Sequence, residues 1–401
     1  MRRPAANDFL GAADGPEALR EGMRRWLAEV LPGDWRQAYA AKSEAAYVDF
    51  QRWWLDQRRR VGIAVPGLPA EYGGAGLDFE SQLIVAEELA RAGAPPLEGA
   101  LFMVSLTHVP ATLLAWGTEA QKRTYLPGLL AGDVWCQGFS EPGAGSDLAS
   151  LRTRAVRDGD HFVVDGQKTW SSWSRHARYC LLLVRTDPAA PKHKGISYLI
   201  LDMASPGVEV RPIVQPTGQA EFSEVFLTEV KIPVANLIGP ENEGWAVAQS
   251  TLAAERGVLA FERAERQMSF VEAFLKASLD SGTAWTRQDH AKAEFTEVYA
   301  RMQGIRCLIR KLLARPHDDP SGADMLPAII KLLATECAQH YADMQVRFGG
   351  LATQLQGHAI VCDGTVPMHD FIQSFGDTIS AGSNEIMRNL IAERRLGLPR
   401  G

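Results

Sequence analysis

The 401-residue sequence predicts an α+β protein in three parts: an N-terminal helical domain, a small middle β-domain of barrel or sandwich type, and a C-terminal four-helix bundle. Three observations predict it. Residues 16–132 carry apolar side chains at three- and four-residue spacing, residues 134–240 switch to short β-type runs parted by turn residues, and the helical spacing returns after Gly239-Pro240. Domain limits are therefore expected at 1–132, 133–240 and 241–401, in a chain too long for one ordinary core.

In the first domain, helices are expected over residues 16–31, 45–60 and 79–92, punctuated by Gly and Pro. Trp53 and Trp54 fall on the second and read as core aromatics. The middle domain opens with a strand at 134–139. Runs at 152–157 and 161–164 flank Asp158-Gly159, a hairpin signal, and further strands are expected at 180–185, 196–201, 208–213 and 224–227. The last domain has helical spacing at 245–267, 291–313, 326–347 and 383–396.

A formal net charge of −6 argues against nucleic acid or an acidic membrane surface as the main partner, and the short run Arg58-Arg59-Arg60 reads as the solvated end of a helix. Five cysteines, at 136, 180, 307, 337 and 362, show no Cys-x-x-Cys spacing, so neither a metal site nor a disulfide framework is expected and a reducing compartment is. The N-terminal stretch lacks the apolar core of a signal peptide, and no apolar run reaches the roughly 20 residues that span a bilayer. The expected location is cytoplasmic.

Chemistry is concentrated in three segments. Ser140-Glu-Pro-Gly-Ala-Gly-Ser-Asp147 is a glycine-rich turn with hydroxyls and free amides, able to approach a phosphate or a flat ring closely. Gly166-Gln-Lys-Thr-Trp170-Ser-Ser172 follows it, and the chain closes with Ala381-Gly-Ser-Asn-Glu-Ile-Met-Arg388 and a basic tail. In this order and at these separations they resemble the acyl-CoA dehydrogenase family of flavoenzymes, over nearly the whole chain from Pro69-Ala-Glu-Tyr-Gly-Gly-Ala-Gly-Leu77 onward.

The resemblance implies FAD lying between the β-domain and the C-terminal bundle, an acyl-CoA substrate, and an electron-transfer flavoprotein as acceptor. It implies association through the bundle as a homo- or hetero-tetramer or dimer. Positions matching the family's flavin contacts are Gln137, Phe139, Ser140, Gly145, Ser146, Trp170 and Ser172, with Ser383 and Glu385 near the C-terminus and Gln345 and Gly349 in a segment that reaches the neighbouring subunit's FAD. Trp170 supplies an apolar wall for the ring; Ser140 and Ser172 keep the hydroxyl where Thr is usual. Ser146, Arg256 and Gly382 match substrate-facing positions. No metal is implied.

The family reaction removes an α-proton with a carboxylate while the β-hydrogen leaves as hydride to flavin N5. Many members carry that Glu immediately before the Gly of the C-terminal motif, where this chain has Ala381. Ala254-Glu-Arg-Gly-Val-Leu-Ala260 instead resembles the segment that carries the base in isovaleryl- and long-chain-type dehydrogenases, which makes Glu255 the expected base and Glu385 the reserve. By residue type alone, Glu255 equally suits an exposed helix carboxylate paired with Arg256 or Arg263. A second departure is Ala284-Trp-Thr-Arg287-Gln-Asp-His290, standing where the family has an Arg-x-x-Phe-Gly clamp for the neighbour's FAD. Its loss is a feature of branches that pair unlike subunits and handle bulky, steroid-type acyl groups. The expected activity is dehydrogenation of a branched, cyclic or steroid-type acyl-CoA; the alternatives are a flavin monooxygenase or oxidase on the same scaffold, or a non-catalytic partner of a related active subunit.

Overall fold

The computed structural model describes residues 10–31, 35, 43–96, 100–254, 258–314, 325–355 and 366–399. The chain divides into two compact units, one of residues 1–22, 45–82 and 97–255, the other of residues 23–44, 83–96 and 256–401.

Before the sheet come α1 (Pro16–Val30), α2 (Glu44–Arg60), α3 (Phe79–Arg91), α4 (Val109–Trp116) and α5 (Glu119–Ala131). On α2 the buried residues Tyr47, Gln51, Trp54, Leu55 and Arg58 recur at helical spacing, and Trp54 is a core aromatic as expected. α5 begins at a reciprocal cap. Thr118 Oγ1 accepts the Gln121 N–H at 3.2 Å and Gln121 Oε1 accepts the Thr118 N–H at 3.0 Å, which satisfies two donors that a helix start leaves without partners.

One seven-stranded sheet follows: β1 (Trp135–Gly138), β2 (Arg154–Asp158), β3 (His161–Ser172), β4 (Tyr179–Arg185), β5 (Ile196–Asp202), β6 (Val208–Ile213) and β7 (Phe222–Pro233). The order is β1-β4-β2-β3-β7-β6, with β5 paired to β4. Strands β2 and β3 form the expected hairpin, closed at Asp158–His161. β4 is buried from Cys180 to Val184, and its alternate residues serve opposite faces: Leu181 and Leu183 pack with Leu126, Trp135 and Tyr198, whereas Leu182 and Val184 pack with Phe162, Leu199 and Val230.

β3 runs eight residues further than the alternating pattern at 161–164 suggests, to Ser172. Register shifts between Val164 and Gly166 and between Lys168 and Ser171 interrupt the two-residue period, which hides the rest of the strand from a pattern reading. Gly166 sits at the first shift, with φ +154°, and a Cβ there would lie 2.5 Å from Thr153 Oγ1.

Helix α6 (Gly244–Ala254) ends the first unit. In the second, α7 (Val258–Asp280), α8 (Asp289–Leu313), α9 (Leu326–Phe348) and α10 (Pro367–Asp377) form the bundle around Met268, Phe295, Met302, Ile330 and Tyr341, followed by α11 (Asn384–Leu390). The helix expected over 245–267 is covered by α6 and α7, with residues 255–257 outside the described residues. α10 was not expected from the pattern, and the helix expected over 383–396 gives way at Ile391 to a π-type turn over Ile391–Arg395. Among the described residues no helix is long and apolar enough to cross a membrane.

Candidate active site

In the first unit, β1 delivers the chain into the glycine-rich loop. Gln137 is half-buried on β1, and its Nε2 is buried with no hydrogen-bond partner among the described residues. Phe139 is buried edge-on against Tyr198, with ring centroids 5.7 Å apart. Ser140 anchors the loop to β3 through its carbonyl, which accepts the Thr169 N–H at 2.9 Å. Glu141 and Ala144 then exchange backbone hydrogen bonds of 3.1 and 3.0 Å, so the loop closes on itself while Gly143, Gly145 and Ser146 stay exposed. A Cβ added at Gly143 or Gly145 would meet nothing within 4 Å.

A buried ion pair holds that loop. Lys168, fully buried, donates from Nζ to Glu141 Oε1 at 2.8 Å and to the Phe139 carbonyl at 3.1 Å. The same carboxylate accepts the N–H groups of Arg152 and Thr153 at 2.7 and 2.8 Å. Burial pushes the Glu141 carboxyl up, but Lys168 and these donors outweigh it and hold it below the ordinary range; burial pulls the Lys168 amine down against the attraction of Glu141.

Two residues beyond Lys168, the β3 irregularity turns Trp170 outward. Its φ is +60°, in the left-handed region that a bulky side chain seldom occupies, and it is 57% exposed with its ring edge-on to Phe222. Such a conformation costs on the order of 1–3 kcal/mol and persists only where the surrounding structure enforces it. Ser172, half-buried, pairs with Phe222 across the strands.

In the second unit, Gln345 is buried near the end of α9, and Gly349 packs where a Cβ would lie 2.4 Å from Thr353 Cγ2. The C-terminal motif forms a tight turn into α11. Ala381 and Gly382 are both left-handed, at φ +53° and +89°, and Ser383 caps the helix by accepting the Ile386 N–H at 3.3 Å. Glu385 projects into solvent, 3.5 Å from Arg388. In the departed clamp segment, Trp285 is core, stacked on Phe274, while exposed Arg287 donates to the Gly282 carbonyl at 2.9 Å.

Residues 14–133, 136–230 and 242–396 match, in turn, the models for the acyl-CoA dehydrogenase N-terminal domain, middle domain and C-terminal domain. The chain belongs to the acyl-CoA dehydrogenase family. It is accordingly an oxidoreductase of a flavin-dependent family. It is 35% identical to the acyl-CoA dehydrogenase IpdE1 of Mycobacterium tuberculosis, over 96% of this chain and 98% of that protein. Among solved structures it is similar to the Tcur3481-Tcur3483 steroid ACAD (TM-score 0.82, 32% identity, 97% of this chain and 98% of the other). It is also similar to the ChsE4-ChsE5 complex from Mycobacterium tuberculosis (TM-score 0.76, 32% identity, 96% and 98%).

The first unit fits the flavin of an acyl-CoA dehydrogenase on its own geometry. It combines an orphaned amide donor at Gln137, open space above Gly143 and Gly145, and an exposed indole at Trp170. Among the expected site residues, Gln137, Phe139, Ser140, Gly145, Ser146, Trp170 and Ser172 belong to this unit, and Gln345, Gly349, Gly382, Ser383 and Glu385 to the other. Glu255 and Arg256 lie outside the described residues. Glu141 and Lys168 were not singled out from the sequence. Both stand inside motifs already recognised, beside Ser140, Gln167 and Thr169, so residue type and pattern give no sign that they are buried.

Proposed function

We propose that this chain is an FAD-dependent acyl-CoA dehydrogenase that introduces an α,β double bond into a bulky, steroid-type or branched acyl-CoA, with Glu255 as the base. Bound FAD supplies the acceptor for the β-hydrogen. The chain's own residues do the remainder: Trp170 shields one face of the ring, the Ser140 and Ser172 hydroxyls and the Gln137 amide hold its polar edge, and Ser146 and Gly382 orient the thioester. Ser383, Glu385, Gln345 and Gly349 complete the cofactor contacts, the last two toward a neighbouring subunit. Glu255 takes the α-proton, and Arg256 lies beside the acyl-CoA. An electron-transfer flavoprotein is the proposed acceptor of the electrons, and the cytoplasm the proposed location.

The observation that carries this reading is full-length similarity to a steroid dehydrogenase of two components, in a chain that has Ala381 where many relatives carry their base. We also infer an unlike partner subunit. Its support is the segment 284–290, where Trp285 is spent on the core and Arg287 is bonded to its own chain's Gly282 carbonyl, leaving the clamp to another subunit.

Substitution separates the candidate bases. Glu255→Gln is expected to keep the flavin and lose roughly 10²- to 10⁴-fold in the rate of anaerobic flavin reduction, because an amide cannot accept the proton. Glu385→Gln keeps a hydrogen-bonding side chain at a cofactor-contact position and is expected to lose far less. The reverse pattern transfers the role to Glu385.

A further inference from the structure

One amino group joins both ends of the turn that carries the C-terminal motif. Lys331, on α9, donates from Nζ to Asn384 Oδ1 at 2.8 Å and to the Thr378 carbonyl at 3.4 Å. Thr378 closes α10, and Asn384 opens α11, so residues 379–383 are bracketed by a single side chain from a third helix. Asn384 is 3% exposed; its Oδ1 also accepts from Thr335 Oγ1 at 3.0 Å, and its N–H donates to the Thr378 carbonyl at 2.9 Å. The bracketed segment includes the two consecutive left-handed residues, Ala381 and Gly382. The first is not glycine, so the shape has to be enforced from outside.

We propose that Lys331 is a positioning residue, whose charged amino group holds the 381–383 turn in the shape the reaction requires. The proposal rests on the reading that this turn meets the cofactor and thioester. The charged neighbours on each packed element are Arg263 on α7, Asp377 on α10, Glu336 on α9 itself, and Glu385 on α11. All three carboxylates are engaged elsewhere: Asp377 accepts from Arg263 at 3.1 Å, and Glu336 and Glu385 both pair with Arg388. Lys331 is therefore left bonding neutral oxygens in a half-buried place. Burial, with Arg263 adding to it, pulls its amine down to about 8. The tether is charge-assisted below that pH and an ordinary amine bond above it, and charge-assisted bonds are about twice as strong.

Global stability moves the other way. The folded state holds this proton less tightly than the unfolded state does, so stability rises as pH climbs from about 8 toward the ordinary 10.5. An opening of the turn that exposes the amine to water follows the same sign, so the turn is held no less tightly as pH climbs through that window.

The test compares Lys331→Met and Lys331→Arg with wild type by amide exchange of residues 378–388 in protein with and without flavin, and by the rate of anaerobic flavin reduction at pH 7. In Lys331→Met the turn is expected to exchange about tenfold faster at pH 7, with reduction slowed about tenfold. Lys331→Arg, which keeps a charged donor, is expected to restore both exchange and reduction to near the wild-type values. Unchanged exchange in Lys331→Met, or exchange and reduction in Lys331→Arg no better than in Lys331→Met, would overturn the proposal. Faster exchange with an unchanged reduction rate keeps the tether and removes the turn from the reacting site, which is a failure of the underlying reading.

Discussion

Lys168 in the first unit is fully buried and faces a carboxylate at 2.8 Å, whereas Lys331 in the second is half-buried and faces an amide oxygen and a backbone carbonyl. Both brace a motif from the neighbouring secondary structure: one the glycine-rich loop after β1, the other the turn into α11. The difference lies in what happens when a proton or a partner is removed. At Glu141–Lys168 two charges have largely left water, with the Lys168 side chain 0% and the Glu141 side chain 9% exposed, and either one alone would lose its charged partner there. At Lys331 the partners are neutral and solvent is near, so losing the charge weakens the bond without stranding anything. The first arrangement makes a rigid floor; the second makes a support that tolerates loss of its charge.

The largest effect that follows is at the buried pair. Glu141→Ala or Lys168→Met, made singly, is expected to destabilise by about 3–5 kcal/mol, because each leaves an uncompensated buried charge. Glu141→Ala also releases the N–H groups of Arg152 and Thr153. The double variant Glu141→Ala with Lys168→Met is expected to lose less than the sum of the two single losses, since neither charge is left without its partner. Chemical denaturation of the holoprotein measures all three, and additive losses would contradict the pairing. The sign with pH follows from the lowered Glu141 carboxyl: its contribution is complete above the ordinary glutamate range and is lost as pH falls below it. An intermediate effect, about tenfold in rate, is expected on the Lys331 side. The smallest is at Arg287, whose exposed guanidinium bonds only a surface carbonyl among the described residues. Arg287→Ala is expected to change stability by no more than about 0.5 kcal/mol and to leave flavin content unaltered. Flavin loss on that substitution would identify Arg287 as the missing clamp and remove the argument for an unlike partner.

These contrasts also explain what was legible in the sequence. The helix–sheet–helix order could be read because periodicity survives wherever one face of an element is buried, as on α2 and in β4. β3 was cut short at Val164 because its bulges break the period where the chain turns Trp170 outward. The glycine-rich loop, Trp170 and the Gly382-Ser383 turn were recognisable as motifs. Their supports were not. A lysine reads as a surface residue, and nothing near Lys331 in sequence announces that Thr378 and Asn384 will arrive beside it from 47 and 53 residues away.

The measurement that bears most directly on the account is anaerobic titration of the bound flavin with straight-chain, branched and steroid-type acyl-CoA thioesters, on protein co-expressed with any unlike partner. The bulky thioesters are expected to bleach the flavin, straight chains to do so more slowly, and Glu255→Gln to retain the yellow colour while slowing bleaching by roughly 10²- to 10⁴-fold. A flavin that no acyl-CoA reduces, or one that Glu255→Gln still lets the bulky thioesters reduce at the wild-type rate, would contradict the proposed function.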